Sequence, residues 1–412
     1  MDFTMEFEGI RDNLAPVRSI SPEEGHYFFG YYDLMAYSPD GRRHLAGKLP
    51  FDGVLNTKDD VMEFGWLEDG KFTKLFETTC WNFQQGILGQ YQFDGKKNVI
   101  FYNIFDEEAK CHRTVRHDLD TGEKTMSSMA CGHISHDGRY GLGINFSRIW
   151  NFRPGYGYPN IRDPYYDIPH PAEDGVFLCD FEKGTTRMLV SCKELYEKFR
   201  FLNREDVKMV VNHITFNPSA NRYMFLYRNF RPEGSNIPWK TSLMVGDLDG
   251  NVDMLWDEMV SHYWWENDDY LISFSRMAPD AITAVLRTDM RTGESEVLGG
   301  EDGELVKLLG RWGDVHCSLS PDGKYMIGDK YPDAEGYRAI VIYEMATGRA
   351  KVLLKSYSPY PDAPYVNIPN GTKEARCDLH ARWNHDGTRI SFDTICRGHR
   401  EIVEIDMTNF EF

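Results

Sequence analysis

The chain lacks the marks of an exported or membrane-bound protein. No apolar run approaches the roughly 20 residues that a bilayer span requires, and no membrane partner is expected. The first residues, Met1-Asp2-Phe3-Thr4-Met5-Glu6-Phe7-Glu8, carry acids where a secretory leader has bases followed by an apolar stretch. Eight cysteines, at 80, 111, 131, 179, 192, 317, 377 and 396, are too dispersed for a disulfide scaffold. Such spacing suits free thiols in a reducing compartment, so a cytoplasmic location is expected. Bases are scarce: 46 Lys and Arg stand against 64 Asp and Glu, for a formal charge of -18. That mean field disfavours nucleic acid and acidic lipid surfaces, so an anionic ligand must be held by a local group of cations. A Gly-rich phosphate loop, a nucleophile elbow and a His-Glu-x-x-His helix are all missing, which removes several common enzyme classes.

What is present is a repeat. Ser38-Pro39-Asp40-Gly41, Phe93-Asp94-Gly95-Lys96, Ser135-His136-Asp137-Gly138, Asn217-Pro218-Ser219-Ala220, Glu266-Asn267-Asp268-Asp269, Ser320-Pro321-Asp322-Gly323 and Asn384-His385-Asp386-Gly387 are seven tight-turn signals. Short β-prone runs such as Tyr325-Met326-Ile327-Gly328 and Arg389-Ile390-Ser391-Phe392 flank them. The interval is that of propeller blades, and a repeat fold can exceed the usual single-core length because each unit packs only on its neighbours. An all-β, seven-bladed β-propeller spanning 1–412 as one domain is therefore expected. After Asp386 the chain supplies only two more strands, so the outer strand of the last blade is expected from residues before Ser21.

Four histidines keep one register against these turns. His213, His262, His316 and His380 each lie six residues before the third turn position. In a propeller the start of each blade's first strand, the end of its second and the start of its third share one face. Arg228 and Arg276 close second strands, His112 opens a third strand and His133 lies on a first strand, so all are assigned to the rim of the central channel. Long insertions fall on the same face, one from Trp150 to Asp174 and one from Phe230 to Lys240. Loops of this length in a compact fold are more often functional than not. Arg148, Arg153, Tyr156 and Arg276 are the candidate saccharide contacts.

Two groups carry chemistry. His316 with Cys377, Asp378 and His380 is a candidate site for a divalent metal, zinc or manganese, because period-two geometry puts Asp378 and His380 on one strand face. The alternative is that these imidazoles merely hydrogen-bond the backbone of adjacent blades. His112, His133, His213 and His262 with Arg228 supply acid, base and cationic groups. The aromatic segments Gly25 to Asp33 and Trp81 to Gly86 offer stacking and hydroxyl-binding groups, or simply inter-blade packing.

His316-Cys317-Ser318-Leu319-Ser320-Pro321-Asp322-Gly323, His380-Ala381-Arg382-Trp383 and His213-Ile214-Thr215-Phe216-Asn217-Pro218 resemble the corresponding blades of oligogalacturonate lyases. His112 and His133, twenty-one residues apart with Arg228 downstream, are similar to the arrangement in propeller-fold ulvan lyases. These resemblances imply β-elimination on a uronic-acid-containing glycan, an anionic oligosaccharide. The first implies His316 and His380 as metal ligands, with Asp378 where that family has a further histidine, and His262 as a catalytic candidate. The second implies His112 and His133 as the acid/base pair, Arg228 as the carboxylate neutraliser and a structural metal. The alternatives are a propeller glycoside hydrolase acting on a rhamnose-glucuronate linkage, and a non-catalytic carbohydrate-binding or scaffold propeller.

Overall fold

The computed structural model describes residues 2–202, 204–230, 240–257, 259–310, 313–361 and 374–412. Their strands form seven antiparallel sheets arranged as consecutive blades. Blade 4, for example, runs Met209–Phe216, Arg222–Asn229, Thr241–Asp247 and Val252–Trp256. Blade 6 runs Val315–Leu319, Tyr325–Lys330, Tyr337–Glu344 and Ala350–Tyr357.

The turns fold as their residues dictate. In Ser38-Pro39-Asp40-Gly41 the serine hydroxyl donates to Asp40 at 2.6 Å and the Gly41 amide returns to the Ser38 carbonyl at 2.8 Å. Gly41 takes φ +68°, a conformation that costs glycine little. Ser135 to Gly138 and Ser320 to Gly323 repeat the same bonds.

The ring closes through the N-terminal segment. Val17–Ser19 pairs antiparallel with Glu401–Asp406 as the outer strand of blade 7, and Arg18 meets Glu404 at 2.7 Å. One strand more than the sequence suggests is contributed there: Ile10–Arg11 adds a fifth strand to blade 6 along Ala350–Tyr357. Closure by strand pairing ties down two edges that would otherwise be free to pair elsewhere.

First and second strands are largely buried, as in Val315–Leu319, where every residue is buried. Three of them are irregular in register: at Cys131/His133, Asn212/Thr215 and Val260/Tyr263. An extra residue on one strand re-aims the side chains beyond it, and two of these shifts fall on the register histidines. His213 (φ 49°) and His380 (φ 44°) adopt left-handed backbone, rare for a residue with a Cβ. No helix of the described residues is long and apolar enough to cross a membrane. All eight cysteines are free thiols.

Candidate active site at the channel

The four register histidines meet. The ring of His316 lies 4.0 Å from that of His262 and 4.5 Å from that of His380, and His213 lies 6.2 Å from His262. Each Nδ1 is anchored. His316 Nδ1 bonds Asp329 at 3.1 Å, His262 Nδ1 bonds Asp314 at 2.9 Å, His380 Nδ1 faces the Gly30 carbonyl at 2.7 Å, and His213 Nδ1 faces the Tyr31 hydroxyl at 3.0 Å. Anchoring one ring nitrogen fixes the orientation of the other. The Nε2 atoms of His213, His316 and His380 are buried without a hydrogen-bond partner.

Buried hydrogen bonds and left-handed backbone position these rings. Asp329, on the second strand of blade 6, holds His316 with one oxygen and accepts from the backbone amides of Leu379 and His380 with the other, at 3.1 and 3.2 Å. One carboxylate thus fixes a ring in blade 6 and the left-handed backbone in blade 7. Tyr31 and Tyr32 fill the centre: Tyr31 stacks on His213 at 5.4 Å, and Tyr32 lies 5.4 Å from His316.

His316, Asp378 and His380 each offer a ligand atom within 4.8 Å of the others. Asp378 is also bridged by two buried guanidiniums, Arg338 to one oxygen and Arg376 to the other, each at 2.7 Å. Arg376 reaches on to the Tyr156 hydroxyl at 3.1 Å, and the Tyr156 ring lies 5.0 Å from that of His213.

Burial and neighbours set the protonation states. Burial opposes charge on His316, yet Asp329, Asp378 and Asp314 outweigh it and raise its pKa. Burial and the adjacent cations hold His213 and His380 well below the usual range. Burial lowers His262 to about 4 despite Asp314, so it is neutral at pH 7. Burial, then the nearby Arg153, lowers Arg228 to about 10, still charged at neutrality. Asp33, enclosed in the channel, is pushed up to about 7 by burial.

Several sequence expectations need correction. His112 is not in the cluster; it packs between Phe105 and Tyr158 and faces Asn160 at 3.2 Å. His133 lies near the turn end of its strand, where its Nδ1 accepts the Phe216 amide of blade 4 at 3.3 Å, a backbone bond between adjacent blades. Arg148 is no rim residue: its side chain is 2% exposed, pairs with Asp163 and donates to the carbonyls of Met209, Tyr165, Ile168 and Pro169. Cys377 is not among the convergent ligand atoms, and burial raises its thiol to about 12; the segment before Arg382–Trp383 is not strand, so simple alternation does not govern it. Arg153 stacks on Tyr156 and pairs with Glu374, while Arg276 follows Tyr270–Ser275 half-buried. Arg228 closes Arg222–Asn229 and is buried among these groups. Of the Phe230 to Lys240 insertion, 231–239 lie outside the described residues.

Sequence reasoning passes over Asp314, Asp329, Arg338 and Arg376, which anchor the cluster. A faint signal exists for two of them: Asp314 stands two residues before His316, and Arg376 two before Asp378.

No protein-family model and no curated protein matches the chain. Solved structures do. An oligogalacturonate lyase in complex with manganese aligns over 98% of this chain and 96% of its own at TM-score 0.63 and 15% identity. An oligogalacturonate lyase from Vibrio parahaemolyticus aligns over 98% and 97% at TM-score 0.63 and 14% identity. The propeller domain of a protease from Pyrococcus furiosus is more distant, at TM-score 0.46 and 9% identity over 94% of this chain and 100% of that one. The chain has the seven-bladed propeller fold seen in the oligogalacturonate lyases, over almost its entire length.

Proposed function

We propose that the protein is a lyase that cleaves short uronic-acid-containing oligosaccharides by β-elimination. The observation that carries this reading is the set of imidazoles from four blades, each anchored through Nδ1, beside buried arginines. Removing the C5 proton of a uronate requires a neutral base and a partner for the charge that develops on the carboxylate. His262, neutral at pH 7 and backed by Asp314, is the base of this reading. Arg228 is the carboxylate partner, a role for which the forked guanidinium is suited. The C5–H electrons form the C4–C5 double bond, the C4–oxygen bond breaks, and the departing oxygen takes a proton from the Tyr31 hydroxyl, which His213 backs at 3.0 Å.

The donor set also fits a divalent cation. His316 and His380 keep Nε2 unpartnered while Nδ1 is fixed, the usual preparation of a metal ligand, and Asp378 is the carboxylate beside them. Nitrogen and oxygen donors without a thiolate suit manganese or zinc. Such an ion, when bound, supplies Lewis-acid stabilisation of a uronate carboxylate. We place the enzyme in the cytoplasm, where its eight free thiols are stable and imported fragments are its substrates.

The test is incubation with galacturonate, glucuronate-rhamnose and iduronate oligosaccharides, read by the ultraviolet absorbance of a conjugated unsaturated uronate. Turnover with that chromophore, lost in Arg228→Ala, supports the reading. Sugar release without a double bond replaces it with hydrolysis; tight binding without turnover replaces it with a carbohydrate-binding role.

A further inference from the structure

A large opening lies on the opposite face. A cavity of about 750 Å³ sits at the turn end of the channel, and all seven blades contribute to its wall. Its volume lies within the range of small-ligand sites. Aromatic surface dominates one side: Phe93 of blade 2 stacks on His136 of blade 3 at 4.2 Å, and Trp264 of blade 5 stands 6.2 Å from Phe93. Phe93, His136 and Trp264 are only partly buried, so ring faces are open to the cavity they line. Trp383 and His385 of blade 7 complete the lining.

The polar groups of this wall differ in sign from those of the histidine cluster. Asp94, Glu266 and Asp322 supply carboxylates, of which Glu266 is paired with Arg287 at 2.7 Å and Asp94 with Lys96 at 3.2 Å, and the lining guanidinium, Arg382, is committed to Asp393 at 3.1 Å and to Ser391 at 3.0 Å. His136 is lowered to about 4 by burial, so it adds no positive charge at pH 7. A uronate entering here meets carboxylates with no free cation among the lining groups. An uncharged sugar meets ring faces for its C–H surface and acceptors for its hydroxyls.

We propose that the turn-side mouth is a second saccharide-binding site, selective for neutral sugars. It is independent of the lyase reading, since Phe93, His136, Trp264 and Trp383 lie outside the imidazole cluster. Tyr32 is the shared partition. It lines the cavity while its ring lies 5.4 Å from His316, and its hydroxyl, bonded to the Tyr263 carbonyl at 2.9 Å, pins it in place.

The test is calorimetric titration of the full chain with cellotetraose, xylotetraose, mannotetraose and galactotetraose, with tetragalacturonate as the charged control. At least one neutral tetrasaccharide should bind saturably, and Trp264→Ala should weaken it tenfold or more. Because that variant can lose its fold, indole NH resonances of the wild type are followed in parallel. Shifts at Trp264, Trp265 or Trp383 with Trp81 and Trp150 unmoved place the ligand in this mouth. No saturable binding by any neutral probe, shifts confined to other indoles, an unchanged affinity in folded Trp264→Ala, or preference for tetragalacturonate at this mouth each overturns the proposal. Because the readout is binding at one face, absence of lyase turnover leaves it standing.

Discussion

Asp378→Asn isolates the electrostatic centre of the site. Both carboxylate oxygens face guanidiniums at 2.7 Å, and the side chains of Asp378 and Arg338 are fully buried. Asparagine keeps the shape but removes the charge, and its amide sets a donor against a donor on one arginine. Removing one partner of a buried pair costs about 3–5 kcal/mol, and because Asp378 serves two arginines the loss should fall in the upper part of that range. Urea unfolding at pH 7 with a chelator present reads this loss without any contribution from bound metal.

The pH dependence gives a second handle on the same variant. Burial raises the Asp378 pKa, but Arg376 and Arg338 outweigh it and hold the carboxyl well below its ordinary range. A depressed folded pKa means that the stabilisation is complete above the unfolded value, about 3.9, and is lost as pH falls beneath it. The gap between wild type and Asp378→Asn should therefore narrow between pH 4 and pH 2. In the Asp378→Asn background, Arg338→Met should cost at least about 2 kcal/mol less than it does alone, because one orphaned charge is then removed. A loss under about 1 kcal/mol at pH 7, or a gap that stays constant to pH 2, would refute the bridging role.

Other outcomes follow from the same geometry. His316→Ala and His380→Ala should each weaken manganese and zinc binding at least tenfold by calorimetry, whereas Cys377→Ser should leave it unchanged because that thiol is not among the convergent ligand atoms. His133→Gln should retain turnover. Burial depresses the His133 pKa to about 3, so wild type loses stability as pH falls from about 6.5 toward that value, and the variant should lack that component in acid unfolding. Arg148→Met should cost about 3–5 kcal/mol by orphaning Asp163 and should raise amide exchange in the segment Asp163 to Pro169, whose carbonyls it holds. Deleting residues 2–19 should uncover the edge of Glu401–Asp406 and Ala350–Tyr357 and speed proteolysis of blades 6 and 7; unchanged protection would show that the clasp is dispensable.

The blade turns, the closing strand and the shared register of His213, His262, His316 and His380 are legible in the residues, because turn chemistry and strand period are local. The candidate metal group is half legible: the residues name His316, Asp378 and His380, but the segment that carries Asp378 and His380 is not strand, so period-two spacing is not what brings them together. The assignments of His112, His133 and Arg148 fail for one reason. A strand position near the channel does not fix where the side chain points, and each of these finds a nearer partner in Asn160, the Phe216 amide or Asp163.

The sequence alone determines that seven short-stranded units repeat and that one imidazole recurs at one place in four of them, since both depend on spacing along the chain. Only the tertiary structure decides what those imidazoles are. Their anchors come from distant segments: Tyr31 reaches His213 across 182 positions and Gly30 reaches His380 across 350. The Arg338–Asp378–Arg376 bridge joins blade 6 to the approach to blade 7. Closing the ring brings these groups within hydrogen-bond reach, and burial removes the water that would otherwise satisfy them, so orientation and charge in the site belong to the closed toroid.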